Sequence, residues 1–103
     1  MVPGSQSAAP GPTGPVRLTV WVRGRVQGVG FRWWTAARAD ELALAGWAAN
    51  LDDGRVEVVA EGRPADCRAL LALLSGGTGP GRVSGVTHRW AAASGLPAGF
   101  SAR

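Results

Sequence analysis

The sequence contains no lysine, a single cysteine and no long apolar run. Arginine supplies all 11 of the Lys and Arg residues, against seven acidic residues, and the formal net charge is +4. A planar, permanently charged guanidinium suits anions, either small ones or nucleic acid. One cysteine, Cys67, can form neither an internal disulfide nor a zinc site by itself, so we expect a reducing compartment, the cytoplasm. No apolar run reaches the roughly 20 residues of a membrane helix, so we expect no membrane partner.

The length of 103 residues leaves room for one domain. Residues 1–15, "MVPGSQSAAPGPTGP", are uncharged and consist mainly of Pro, Gly, Ser and Ala. They lack the basic start and the apolar run of a signal peptide, so we predict a disordered tail. The folded domain is expected over residues 16–103, as a monomer.

Apolar periodicity predicts the first half of the domain. Alternation of Leu18, Val20 and Val22 with Thr19, Trp21 and Arg23 indicates a strand in "VRLTVWVRGRV". The Ala- and Leu-rich segment "FRWWTAARADELAL" predicts a helix that closes near Gly46. "WAANL" and "RVEVVAE" flank "DDG", which is typical of a β-hairpin.

The second half predicts another helix and one or two strands. Pro64 suits a first helical turn, and Cys67, Leu70, Leu71 and Leu74 follow helical spacing up to about Ser75. "RVSGVTHRWAA" has strand character, and "GFSAR" could add a short fifth strand at an edge.

The order β-α-β-β-α-β is the split βαβ arrangement, an α+β sandwich in which an antiparallel sheet carries two helices on one face. A right-handed crossover makes the first two strands parallel, so the loop after the first strand and Asn50, at the end of the second, should meet at one edge of the sheet.

The loop "GRVQGVGFR" is the motif that most needs a chemical explanation. It is not a Walker loop, since no Gly-Lys-Ser/Thr follows, and Trp33 stands where a dinucleotide motif needs its third glycine. We therefore expect no nucleotide cofactor. Gly28 and Gly30 can adopt positive φ and let main-chain amides converge at the positive end of the following helix, where Arg32 adds a planar fork of donors. Such a cup would hold an anion, although a glycine-rich turn taken alone is more often only a turn.

Two blocks, "GRVQGVGFR" and "GWAANLDDGRVEVVAEG", resemble the acylphosphatase family, and the likeness in order and spacing covers about residues 16–103. The resemblance implies a ferredoxin-like fold and hydrolysis of small acyl phosphates to a carboxylate and inorganic phosphate, without metal or cofactor. It implies that Arg32 binds the phosphate and that Asn50 positions the attacking water. The phosphate-binding loop would comprise Gly24, Arg25, Val26, Gln27, Gly28, Val29 and Gly30, with Gln27 either a contact or a solvated turn residue.

The residue types agree with this chemistry. The Asn50 amide can orient a water but cannot act as its base, and His88 lies on the predicted fourth strand, away from the loop. The candidate base is the substrate phosphate itself. A carboxylate, whose conjugate acid has a pKa of about 4, leaves without a general acid, so the thin site favours acyl phosphates over ordinary esters.

The alternative is a non-catalytic module that binds phosphate or RNA. Trp21, Trp47 and Trp90 fall on three predicted strands, and ferredoxin-like sheets with an open face can stack bases on aromatic rings. Nucleic acid is the less favoured partner, because "GVGFRWW" falls at a loop and helix start, whereas the RNA-recognition motif carries its aromatics on a strand.

Overall fold

A computed structural model describes residues 14–103, so the tail predicted over residues 1–15 lies almost wholly outside the described residues. The predicted order is confirmed, with the short fifth strand included: β1 (Val16–Arg25), α1 (Phe31–Glu41), β2 (Ala45–Asn50), β3 (Val56–Gly62), α2 (Pro64–Ser75), β4 (Arg82–Ala92) and β5 (Phe100–Ala102). Neither helix in this part of the chain is long and apolar enough to cross a membrane.

The strands form one mixed sheet in the spatial order β4-β1-β3-β2-β5. Both β1 and β2 pair antiparallel with β3 and therefore run in the same direction, as predicted. The first four strands pair antiparallel, and the short edge strand β5 pairs in parallel with β2, which makes the five-stranded sheet mixed. Since β4 runs opposite to β2, it ends at the level where β2 begins. The segment after β4 crosses the sheet at that level. The strand β5 therefore starts beside the start of β2, at the opposite edge of the sheet, and runs in the same direction as β2.

One face of the sheet supplies the core beneath the helices. On β1, Leu18, Val20 and Val22 are fully buried, and their register partners on β3 are equally buried. Fully burying a side chain of this size stabilises a fold by about 1.5–3 kcal/mol. The helices complete the core with Phe31, Thr35, Ala36, Ala39, Cys67, Leu70 and Leu74.

Helix α1 ends at Glu41, before the predicted closure near Gly46. Ala43 adopts a left-handed conformation with φ of 57°, and the Leu44 amide donates back to the Ala39 carbonyl at 3.0 Å. This is the Schellman arrangement, which usually has glycine in the left-handed position. Burial of Leu44 selects the turn without a glycine to mark it, so Gly46 becomes part of β2.

Glu61 fastens the segment that links β4 to β5. Its carboxylate accepts hydrogen bonds from the main-chain amides of Ser94, Gly95 and Leu96 at 2.8–3.0 Å, and from Arg17 Nε at 2.8 Å. The residue is only 5% exposed. Burial raises the pKa of Glu61, but the main-chain amides and Arg17 outweigh burial and bring the pKa down to about 2.

We expect Ala43→Gly to raise the free energy of unfolding by about 0.5–1 kcal/mol, because glycine adopts the left-handed conformation without a Cβ clash. Urea denaturation measures the change. Ala37→Gly, at an exposed position within the same helix, is the matched control and should lower stability. An equal loss from both substitutions would contradict the role assigned to Ala43.

We expect Glu61 to make the free energy of unfolding depend on pH in the acidic range. Its folded-state pKa lies below the ordinary value of 4.5, so its contribution is complete above that pH and is lost as the pH falls toward about 2. The contribution is on the order of 3 kcal/mol. Glu61→Gln should therefore lower stability at pH 7 and flatten the profile between these limits, measured by urea denaturation across pH. Glu57→Gln is the control, and an unchanged acid profile in Glu61→Gln would refute the assignment.

Candidate active site

The apolar side chains of the loop between β1 and α1 pack into the core and anchor the loop there. Val26 is buried in the core, and Val29 packs against it. Gly28 and Gly30 both adopt the predicted positive φ, at 76° and 86°. With its valines turned inward, the loop leaves its main chain to form the outer surface.

The N-terminus of α1 opens directly onto this loop. Gly30 occupies the N-cap position and supplies no side-chain hydrogen bond. The first helical bond runs from the Trp34 amide to the Gly30 carbonyl at 3.0 Å. The main-chain amides of residues 31–33, which precede Trp34, have no acceptor within the helix, and they lie at the positive end of its dipole. This end of the loop is therefore chemically suited to an anion.

The rear of the loop requires glycine because strands approach closely there. The β1–β4 register shifts between Arg23 and Gly24, and Gly24 has a φ of 134°. A Cβ at Gly24 would lie 2.1 Å from the Arg82 carbonyl oxygen. This contact fixes where the loop leaves the sheet.

Gln27 ties the loop to the hairpin that follows Asn50. Its Nε2 donates to the Leu51 carbonyl at 2.8 Å and to the Arg55 carbonyl at 3.0 Å. The half-buried side chain thus directs its Nε2 donors to the hairpin. Through this tie, the loop and the end of β2 hold a fixed relation.

Arg103 connects Arg32 to β2, the strand that ends at Asn50. The Arg32 side chain donates through Nη1 to the main-chain oxygen of Arg103. The Arg103 amide in turn donates to the Ala48 carbonyl at 2.8 Å, two residues before Asn50. Asn50 ends β2 and is exposed. The topology thus brings the two predicted catalytic residues to the same edge of the sheet, with Arg103 as a connection that the sequence did not reveal.

The other residues weighed as candidates lie elsewhere. His88 pairs with Val20 in the middle of the β1–β4 ladder. Burial raises the pKa of the Cys67 thiol to about 11, so Cys67 is a protonated core side chain. Within residues 14–103 no three His, Cys, Asp or Glu side chains are grouped as metal ligands.

The strand tryptophans do not form one platform. Trp21 alternates along β1 with the buried residues Val20 and Val22, so its side chain faces away from the helices. Trp90 pairs with the core residue Leu18 and lies on the same face as Leu18, the face that the helices cover. Trp21 lies beneath the Arg89 guanidinium, 5.8 Å from the ring centroid. Trp47 is covered by Arg103 at 4.1 Å.

Comparisons with known proteins agree on one family. The Acylphosphatase family model matches residues 18–102. An acylphosphatase of Thermobifida fusca is 64% identical over 85% of this chain and 97% of its own length. The crystal structure of an acylphosphatase from Bacillus subtilis is 34% identical with a TM-score of 0.79, covering 85% of this chain and 98% of that one. An acylphosphatase structure from Coxiella burnetii has the same TM-score at 35% identity, over 87% of this chain and 94% of that one. The chain therefore belongs to the acylphosphatase family.

Proposed function

We propose that this acylphosphatase hydrolyses the carboxyl-phosphate bond of small acyl phosphates, with the phosphate held by the loop Gly24–Gly30 and Arg32, and the water positioned by Asn50. The observation that carries the proposal is the uncapped start of α1, which opens onto a loop tied by Gln27 to the residue after Asn50. Phosphate donors and a water-orienting amide are thereby held in one rigid frame.

Phosphate binding would use main-chain amides more than side chains. The glycine-rich loop and the first turn of α1 offer N–H donors and a positive dipole end. Arg32 would add two charge-assisted hydrogen bonds from its planar guanidinium. The bond from Arg32 to the Arg103 main-chain oxygen holds that guanidinium at the edge of the sheet before substrate arrives.

The chemical step needs little beyond this frame. In the proposed reaction, a water oriented by the Asn50 amide attacks phosphorus, the bond from phosphorus to the acyl oxygen breaks, and the carboxylate leaves with the electron pair. The proton of the water passes to a phosphate oxygen, which serves as the base. Charge that develops on the phosphoryl oxygens is stabilised by the donors already in place, and such fixed donors are usually the largest catalytic contribution.

The sheet geometry does not support the alternative of RNA binding by aromatic stacking. Trp90 lies on the opposite face from Trp21, and the rings of Trp21 and Trp47 are each covered by an arginine. A base that stacked on either ring would therefore compete with a guanidinium for it. The loop and helix start remain the surface best suited to an anionic ligand.

We expect purified protein to hydrolyse benzoyl phosphate in the presence of a chelator. Arg32→Ala should weaken inhibition by phosphate by about 10²-fold, since it removes charge-assisted bonds to the anion. Asn50→Ala should lower kcat on the order of 10²- to 10³-fold and leave phosphate binding largely intact, because its donor acts on the attacking water. Steady-state kinetics with phosphate as inhibitor separate the two effects.

Arg38→Ala is the matched control for Arg32, since Arg38 lies in the same helix and pairs with Glu41 at 2.6 Å. It should leave both constants unchanged. Equal losses of phosphate binding in Arg32→Ala and Asn50→Ala would contradict the assigned roles. Absence of turnover in folded wild-type protein would overturn the proposal as a whole.

We expect Gln27→Ala to lower kcat about tenfold with little change in phosphate inhibition, because the loop keeps its main-chain donors but loses its fixed relation to Asn50. Gln27→Glu should behave similarly, as a carboxylate cannot donate to the two carbonyls. A normal kcat in both variants would show that the tie does not contribute to turnover.

A further inference from the structure

Only two large apolar side chains are exposed among residues 14–103, and one of them stands beside the proposed site. Trp33 is 66% exposed and Trp90 is 39% exposed. The neighbour of Trp33, Trp34, is half-buried and packs on Phe31 with the ring centroids 5.7 Å apart. The two adjacent tryptophans therefore have different roles. Trp34 packs against the core, whereas Trp33 contributes little to it.

Trp33 follows Arg32 directly on the first turn of α1. Side chains on a helix lean toward its N-terminus, so the indole extends toward the turn that carries the free amides. Isolated apolar residues on a surface usually need no explanation. Trp33 differs from such residues because its position adjoins the one surface at which substrate would bind.

The loop, Arg32 and Asn50 would engage the phosphate and the water, and none of them would contact the acyl group of the substrate. When the phosphate oxygens enter the loop, the acyl group must point outward to the rim. The opening at Gly24, a cleft of about 430 Å³, is lined by Arg23, Asp53 and Arg55, which suit charged groups. At the rim formed by α1, the exposed side chain is the aromatic face of Trp33.

We propose that Trp33 contacts the acyl group and makes the enzyme prefer acyl phosphates with an aromatic or bulky apolar acyl group over those with a small one. The inference rests on the proposed function and adds a substrate preference to it. Trp33 would act on the acyl group alone, since phosphate binding and water positioning belong to the loop, Arg32 and Asn50.

The test compares kcat/KM for benzoyl phosphate and acetyl phosphate in wild type, Trp33→Ala, Trp33→Phe and Trp90→Ala. We expect Trp33→Ala to lower the ratio of benzoyl to acetyl phosphate about three- to tenfold, the range of an aromatic contact. Trp33→Phe should retain most of the preference, and inhibition by phosphate should stay the same in all variants. Trp90→Ala is the matched control, because it removes the other exposed indole from β4, which lies at the edge of the sheet opposite β5, whereas α1 packs against β2 and β5.

An unchanged ratio in Trp33→Ala would overturn the inference while leaving the proposed function intact. An equal drop in the ratio for Trp90→Ala would also overturn it, since the effect would then be unrelated to the rim. Wild-type protein that hydrolyses neither compound would overturn the proposed function and this inference together.

Discussion

Five hydrogen bonds to one buried carboxylate allow the end of the chain to reach the proposed site. Glu61 accepts bonds from three successive main-chain amides, the Ser94 hydroxyl and Arg17. These bonds hold the segment that crosses from β4, at one edge of the sheet, to β5 at the other. A buried charge is costly unless it is paired and fully hydrogen-bonded, and here four of the five bonds also fix the crossing segment. Without that crossing, β5 would not pair with β2 and Arg103 would not meet Arg32.

The proposed site uses few side chains because the fold supplies the rest. Val26 and Val29 face the core and leave the main chain of the loop outward. The helix α1 begins without a side-chain cap, so its first amides remain available. A main-chain site of this kind is already organised before substrate binds, and organised donors need no rearrangement in the transition state. Such a site suits a reaction whose leaving group departs without help from an acid.

The two faces of the sheet have separate roles. The helix-covered face holds the core, while the other face carries Trp21 and Trp47 under arginine side chains. The Trp21 indole also donates to Glu57 at 3.0 Å, so its polar atom is satisfied within the sheet. These contacts explain how a sheet face with two large aromatics can remain without a covering layer. Among residues 14–103 the exposed indole of Trp33 has no such partner, and it lies at the start of α1 instead.

The sequence by itself determined the order of elements, the span of α2 and β4, the hairpin at "DDG" and the positive φ of Gly28 and Gly30, because each depends on local periodicity or on glycine. It also determined, through the parallel direction of β1 and β2, that the loop and Asn50 share an edge. The tertiary structure alone decided the end of α1, where burial of Leu44 imposes a left-handed Ala43 that no local signal marks. It likewise decided the parallel pairing of β5, the tie from Gln27 to the hairpin, and the contact of Arg32 with Arg103. Each of these contacts joins residues at least 24 positions apart, and both the β2–β5 pairing and the bond from Arg32 to Arg103 join residues more than 50 positions apart. Contacts over such separations depend on how the whole chain packs, and neither propensity nor spacing within a segment encodes them.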